Sequence, residues 1–354
     1  MKVSRAGQGV PPKDLGLKYK MENVNPEKIR EIIGQCIELS PVDSQCDVEV
    51  LCNEPMSQHT TFRVGGPADI WLRPHGDSFP AFCAELIYRV HKEAIPVFIL
   101  GGGANIVVSD RGIRGIVLDM SAWEGESVWA LCAEEKELIL KSGTAIDAAV
   151  DIAAAAGLCG LDFLAGMPGT IGGAVWMNAR CYGKATADVL SWVEIIDFGA
   201  GTEEPQIKRI AIGDSSEKAG FHYKKSPFQK MDCLILSACF RLEHGNKNEI
   251  LDEMEKKRQD REDKGHYLFP CAGSAFKNNR NFGKPTGQII DELGLRGFQI
   301  GGAQVATFHG NIVINTGTAT AADIRALMNE VAAKVKSAAG FILEPEILFV
   351  GDWD

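Results

Sequence analysis

LDFLAGMPGTIGGAVWMNARCYG, Leu161 to Gly183, is the stretch on which the reading of this chain turns. Its glycines at 166, 169, 172 and 173 follow a spacing that neither a plain strand nor a plain helix requires. Pro168-Gly169 marks a turn. Thr170 is placed to cap a short helix whose first turn is nearly bare of side chains. Such a helix start offers backbone N–H groups and the positive end of the helix dipole, which suits a phosphate. Taken alone, the stretch serves equally well as a tightly packed connection between helix and strand. A second cluster, Gly101-Gly102-Gly103-Ala104-Asn105, breaks the tie. Two backbone-rich loops in one chain suit a ligand with two phosphates held between two lobes.

The sequence on either side supports such lobes. Alternating runs at Val48–Leu51 and Ala68–Leu72 are followed by a helix, Phe79–Glu93, and by the apolar run Ile95–Leu100 that ends in the first glycine cluster. This is β–α–β with a glycine loop at the carboxyl end of its second strand, a usual ligand position in an α/β unit. It is not a Rossmann fingerprint, because that motif opens a helix whereas Asn105 leads into the β-branched IVVS. Downstream come a strand-rich segment, Ile116–Lys141, and a helix, Thr144–Ala156, ended by Gly157. A strand at Trp192–Asp197 and a core strand at Cys233–Leu242 follow the opening stretch. The last third begins with a charged helix, Glu249–Lys264, whose acidic and basic residues at i, i+4 read as a solvated face. Beyond it lie PCAGSAFKN (Pro270–Asn278), GQIIDELGL (Gly287–Leu295), IGGAQVATFHGNIVINTG (Ile300–Gly317) and a long helix, Ala321–Ala339. At the other end, Met1–Asn25 reads as a mobile polar tail. It leads into a helix at Pro26–Leu39 capped by Asn25, with Ile29, Ile32, Ile33 and Ile37 on one face.

Composition narrows the partners. A chain of 354 residues, 45% hydrophobic and 24% charged, is an ordinary soluble protein of two or three domains. A net charge of −10 excludes a nucleic-acid backbone or an anionic membrane as the main partner, while leaving room for a small anion at a local basic cluster. Ten cysteines without a C-x-x-C pair or clustered histidine fit neither a metal site nor a disulfide scaffold. With no signal-peptide pattern and no run of 18 apolar residues, the expectation is free thiols in the cytoplasm.

Six motifs then come together: TTFRVGGPADIWLRP, PVFILGGGANIVVSD, GLDFLAGMPGTIGGAVWMNA, CAGSAFKN, IGGAQV…HGNIVIN and the terminal LEPE…G. In order and spacing, from about Pro55 to Gly351, they resemble the MurB family, the UDP-N-acetylenolpyruvoylglucosamine reductases of peptidoglycan precursor synthesis. No long tyrosine-bearing insertion follows the second glycine loop, which resembles the shorter, type II form. The resemblance implies an α+β fold: a two-lobed FAD-binding region of the vanillyl-alcohol oxidase (PCMH) type plus a C-terminal α+β substrate-binding domain. It divides the chain into an N-terminal extension with one helix (1–45), FAD-binding lobes at 46–115 and 116–245, a UDP-sugar domain at 246–345, and a terminal strand (346–354) returning toward the active site. It further implies noncovalent FAD, NADPH as hydride donor, UDP-N-acetylglucosamine enolpyruvate as acceptor and UDP-N-acetylmuramate as product, in a monomer or weak homo-oligomer.

Hydride addition to an enol ether leaves negative charge on the carbon beside the carboxylate, so the site needs charge stabilisation, an acid and rigid positioning. The resemblance carries the acid to Ser274 and a second partner to Glu346, which, protonated, would donate to the enolate carboxyl; Glu344 is the solvated alternative. The third position departs from the family: Phe221-His222-Tyr223-Lys224-Lys225 has Lys224 where the family has arginine. Lysine keeps the charge and loses the bidentate fork, so Lys224 is expected to meet the substrate carboxylate as a point charge, with Lys225 the weaker candidate. Gly265-His266 likewise replaces the family's Gln-Pro. Arg258 and Arg261 match basic positions of the family, which a charged helical face explains as cheaply. Tyr223, Lys277, Asn278 and His309 are the substrate-side candidates. On the cofactor side stand Thr61, Gly101, Gly102, Gly103, Ala104, Asn105, Pro168, Gly169, Thr170, Gly172, Gly173 and Asn178. His59, His75, His91 and His244 read as surface residues. The competing readings are another FAD-dependent oxidoreductase of the same superfold, or a UDP-sugar-binding flavoprotein without turnover.

Overall fold

The computed structural model describes residues 26–39, 47–123, 131–132, 136–199, 204–213 and 220–353. The tail Met1–Asn25 and the Asn25 cap lie outside these residues. Helix α1 (Pro26–Glu38) buries Ile29, Ile32, Ile33 and Cys36. Cys36 completes the i, i+3, i+4, i+7 stripe in place of the expected Ile37, which is exposed.

Strand β1 (Asp47–Pro55) pairs antiparallel with β2 (Pro67–His75), and α2 (Phe79–Lys92) carries the chain to β3 (Val97–Leu100). After β4 (Ile106–Val108), β5 (Ile113–Asp119) inserts between β2 and β3, parallel to both. The expected β–α–β unit is therefore present in sequence, but its two strands, β2 and β3, are separated in space by β5. All but one residue of β5 is buried, as a central parallel strand demands.

The second lobe is an antiparallel sheet with helices on one face. It contains β6 (Leu131–Cys132), β7 (Glu137–Lys141), α3 (Ile146–Ala155), α4 (Ile171–Met177), β8 (Leu190–Asp197), β9 (Gln206–Ala211) and β10 (Cys233–Arg241). The strand order is β9-β8-β10-β7-β6, with the apolar run of β10 at its centre. Ile146, Val150, Ile171, Val175 and Phe240 form the core under α3 and α4. The opposite face sends Ile196, Leu234 and Leu236 into the core of the first lobe, against Phe82 and Leu86. The two lobes thus share apolar packing, and burial of that surface fixes their mutual position.

In the last third, α5 (Lys247–Asp263), β11 (Cys271–Ser274), α6 (Thr286–Glu292), β12 (Gln299–Ile300), β13 (Ala303–Val305), β14 (Ile312–Asn315) and α7 (Ala321–Ala339) precede β15 (Leu348–Val350). The sheet order is β11-β14-β13-β12. Thr320 and Asp323 form a capping box at the start of α7, and Gly340 takes the left-handed conformation at its end. The helix buries Ile324, Leu327, Met328 and Val331 in a core that also receives Phe62, Val64 and Val107 from the first lobe. Strand β15 leaves this domain to lie parallel to β4, with Leu348 opposite Ile106. No helix among the described residues is long and apolar enough to cross a membrane.

One buried side chain pins the third domain to the first lobe. The Asn315 amide donates to Phe62 O at 3.0 Å, and its Oδ1 accepts from Gly317 N–H (2.8 Å) and Ala319 N–H (3.0 Å). Asn315→Leu strands these buried partners, and we expect it to destabilise the protein by about 3 kcal/mol, read from the midpoint of urea denaturation.

Candidate active site

The two glycine loops meet backbone to backbone. A Cβ on Gly102 would fall 2.7 Å from Gly169 Cα, and one on Gly103, whose φ is +59°, would fall 2.0 Å from His59 O. Only glycine permits either approach. Thr61 N–H donates to Gly103 O at 3.2 Å, while Thr61 Oγ1 is buried with no partner. Among the described residues, no backbone N–H from Gly101 to Asn105 donates to another protein group, and those of Gly169 and Thr170 are equally unengaged. Gln58, His59, Thr61, Gly101, Gly102 and Asp119 line a cavity of about 300 Å³ beside this junction. Free amides, an orphaned hydroxyl and an approach that any Cβ would block fit the pyrophosphate of a dinucleotide such as FAD.

The start of α4 differs from its expected part. Thr170 does cap it, accepting from Gly173 N–H at 3.3 Å. Ile171 N–H donates to Thr144 O and Gly172 N–H to Ser142 O at 2.7 Å. Gly172 and Gly173 are therefore engaged within the protein rather than presented to a ligand. Gly172 is small because a Cβ would lie 2.9 Å from that of Ser142. Asn178 is engaged as well. In the left-handed conformation (φ +46°) that ends α4, its amide donates to His222 O at 2.9 Å, and its Oδ1 accepts from Ala187 N–H at 3.1 Å. Both polar ends are used inside the protein, where a contact with FAD was expected.

What Asn178 holds is the turn that carries Tyr223 and Lys224. His222 and Lys225 exchange both backbone hydrogen bonds, and Lys224 sits between them at φ +56°. Left-handed backbone at a lysine costs roughly 1–2 kcal/mol, and strain of this kind concentrates at functional sites. The turn is fastened by Ser226 Oγ and the Gln229 amide, both donating to Trp176 O. It aims Lys224 Nζ at Glu346 Oε1, 2.6 Å away, with the two side chains 15% and 9% exposed. Lys225 stays exposed.

Glu346 is positioned by the chain's return. Phe276 pairs with Pro345, Lys277 N–H donates to Glu344 O and Glu346 N–H to Ala275 O. Glu346 therefore lies across from Ala275, one residue beyond Ser274. The pairing of β11 with β14 is irregular between Cys271 and Ser274, where Gly273 takes φ +69°, and Ser274 pairs with Ile312. The Asn105 amide donates to Glu346 O at 3.2 Å, and Leu348 N–H donates to Asn105 O. The first glycine loop is thus joined by direct hydrogen bonds to the backbone that carries Glu346. Glu344 is the exposed alternative, paired with Lys277 at 2.7 Å.

Of the remaining candidates, Tyr223 and Asn278 are in contact, whereas His309 lies beside His266 and Asn311. Tyr223 Oη accepts from Asn278 N–H at 3.4 Å, and Asn278 Oδ1 accepts from Thr286 N–H at the start of α6. His309 Nδ1 accepts from Asn311 N–H, so its Nε2 carries the proton of the neutral ring. Burial, then Arg296 and Lys264, pushes His309 below its ordinary value; burial, Arg261 and His309 push His266 down to about 4. Arg258 bonds to Asp147 and Asp151 as a surface pair would, whereas Arg261 is 9% exposed and its Nε is without a partner. His59 is no surface residue: it bonds Glu54 at 2.9 Å, stacks on Trp71 and lines the cavity. No local pattern distinguishes His59 or Asp119 in the sequence, since each owes its place to a strand or loop folding over the glycine cluster.

Comparison with known proteins agrees with this geometry. A family model for an FAD binding domain matches residues 82–204, and one for the C-terminal domain of UDP-N-acetylenolpyruvoylglucosamine reductase matches residues 263–350. The UDP-N-acetylenolpyruvoylglucosamine reductase of Treponema denticola is 38% identical over 318 residues, covering 85% of this chain and 93% of that protein. The enzyme of the same name from Treponema pallidum is 36% identical over 337 residues, covering the same shares. Among solved structures, the UDP-N-acetylenolpyruvylglucosamine reductase (MurB) of Thermus caldophilus matches with a TM-score of 0.66 at 30% identity, over 86% of this chain and 99% of that one.

Asn178→Gly keeps the left-handed backbone and removes both side-chain hydrogen bonds. We expect a loss of about 2 kcal/mol in urea denaturation and faster tryptic cleavage after Lys224 and Lys225, read by mass spectrometry of the timed digest.

Proposed function

Because the chain belongs to the UDP-N-acetylenolpyruvoylglucosamine reductases, the FAD- and NADPH-dependent enzymes of peptidoglycan precursor synthesis, we propose that Lys224, Glu346 and Ser274 are its catalytic group. The contact between Lys224 Nζ and Glu346 Oε1 beside the strand of Ser274 carries this reading. Bound FAD supplies the hydride, taken from NADPH, that adds to the methylene carbon of the enolpyruvyl substrate. The chain's own residues do the rest. Lys224 meets the substrate carboxylate as a point charge and stabilises the negative charge that grows on the adjacent carbon. Glu346, which the resemblance gives as a protonated donor to the enolate carboxyl, instead holds that ammonium in place through its Oε1. The Ser274 hydroxyl gives its proton to the carbon next to the carboxylate, and its oxygen recovers a proton from water.

The same reading assigns the pyrophosphate of FAD to the amides of Gly101–Asn105, Gly169 and Thr170, with Pro168 setting the turn and Thr61 Oγ1 as a further donor. Tyr223, Lys277, Asn278 and His309 bound the UDP-sugar, with His309 Nε2–H directed to an acceptor on the nucleotide. Of the domain boundaries expected from the resemblance, the one at 115/116 moves, because β5 carries the first lobe's sheet to Asp119; the lobes become 46–119 and 120–245, with a sugar-nucleotide domain at 246–345. The enzyme works in the cytoplasm, as a monomer or weak homo-oligomer, as the family resemblance implies.

Stopped-flow spectroscopy separates the two half-reactions. In Lys224→Ala and Ser274→Ala, bleaching of the flavin by NADPH is expected to keep its rate. Reoxidation by UDP-N-acetylglucosamine enolpyruvate is expected to slow by about 10²-fold or more. Lys224→Arg should restore most of the lost rate. A Lys224→Ala enzyme reoxidised at the normal rate refutes the assignment.

A further inference from the structure

Strands β3 and β5 run parallel, with Leu100 opposite Asp119, so the glycine loop and Asp119 open on one crevice at the strands' carboxyl ends. Asp119 is 4% exposed. Its Oδ1 accepts from Ser121 N–H at 2.8 Å; among the described residues its Oδ2 has no hydrogen-bond partner and neither oxygen meets a cation. Oδ2 is not sealed in the interior, because Asp119 forms part of the wall of the 300 Å³ cavity together with Gly101, Gly102 and Thr61. A carboxylate so buried is costly unless a donor reaches it. The free amides of Gly101 and Gly102 attract phosphate to the same cavity, whereas Asp119 repels it. Both demands are met by a ligand that carries hydroxyl groups within a few ångströms of its phosphates.

We infer that Asp119 is a cofactor-binding residue of this protein, accepting a hydrogen bond from a sugar hydroxyl that flanks the pyrophosphate of FAD. The inference rests on the family's use of FAD and on none of the catalytic assignments. Two sources offer the same chemistry, the ribose of the adenosine half and the ribityl chain of the flavin half.

The test is FAD binding to the full chain stripped of cofactor, followed by quenching of flavin fluorescence. Asp119→Asn keeps the bond to Ser121 N–H and removes the charge. Were the carboxylate merely structural, relief of its repulsion toward the pyrophosphate would leave FAD affinity unchanged or raise it. If it accepts a hydroxyl, the Kd for FAD rises about tenfold while the melting temperature of the stripped protein holds. Competition by ADP assigns the source: weakened ADP binding marks the ribose, unchanged ADP binding the ribityl chain. A second arm needs no variant. On the unaltered protein, FAD analogues lacking single ribose or ribityl hydroxyls are titrated, and one of them is expected to bind about tenfold more weakly. Unchanged or tighter FAD binding by Asp119→Asn, or equal binding of every deoxy analogue, overturns the inference.

Discussion

The contact between Gly102 and Gly169 is the constraint from which the rest of the site follows. Two main chains lie against each other with no side chain between them, and a single methyl group on Gly102 would force them apart. The contact is made by α-carbons, so it uses no amide, and the N–H groups of the 101–105 loop stay available. The helix beside it shows the opposite outcome. The first amides of α4 are taken by Ser142, Thr144 and Thr170, which lock the helix onto β7 and α3. The amides of the 101–105 loop, Gly169 and Thr170 are left open, and the helix start beyond them is closed, which gives them a fixed wall. The dipole of a helix this short adds little beyond its own first turn.

A second constraint acts at the opposite end of the chain. Strand β15 returns to pair with β4, which follows directly on the glycine loop, and Asn105 bonds Glu346 across 241 residues of sequence. The loop is therefore tied to the main chain that carries Glu346. Ser274 is drawn into the same unit, since the backbone of Glu346 bonds that of Ala275. The 101–105 loop and the backbones of Glu346 and Ala275, next to Ser274, are thus linked by one run of hydrogen bonds.

Much of this was legible in the residues because it is encoded locally. The capping role of Thr170, the long helix between Thr320 and Gly340, and the apolar run of β10 each follow from neighbours in sequence. So does the fold class, through motifs whose order is informative. What escaped was set by distant partners. Asn178 stands in a glycine-rich motif and looks like a ligand-facing residue, yet His222, 44 residues on, claims its amide. Gly172 looks like a phosphate donor, yet the wall of β7 requires its smallness and its N–H alike. His59 and Asp119 carry no local signature at all. A polar residue in a rigid loop is the same in sequence whether it faces a ligand or a neighbouring carbonyl, and only the paired strand decides which.

The lysine at position 224 gains its meaning from the same geometry. A guanidinium is a planar fork that favours one carboxylate held bidentately. An ammonium has three donors spread around one point. With one of them directed to Glu346 Oε1, two remain, so in the proposed role Lys224 can meet an arriving carboxylate without releasing Glu346. Desolvation sharpens the effect: at side-chain exposures of 15% and 9%, water screens the pair weakly. The left-handed turn keeps the ammonium at this spot in the absence of substrate, its strain offset by the bonds from Asn178, Ser226 and Gln229 to the surrounding backbone. In the proposed role, a lysine where the resemblance expects arginine shares its charge between two carboxylates, while the turn fixes where that charge sits.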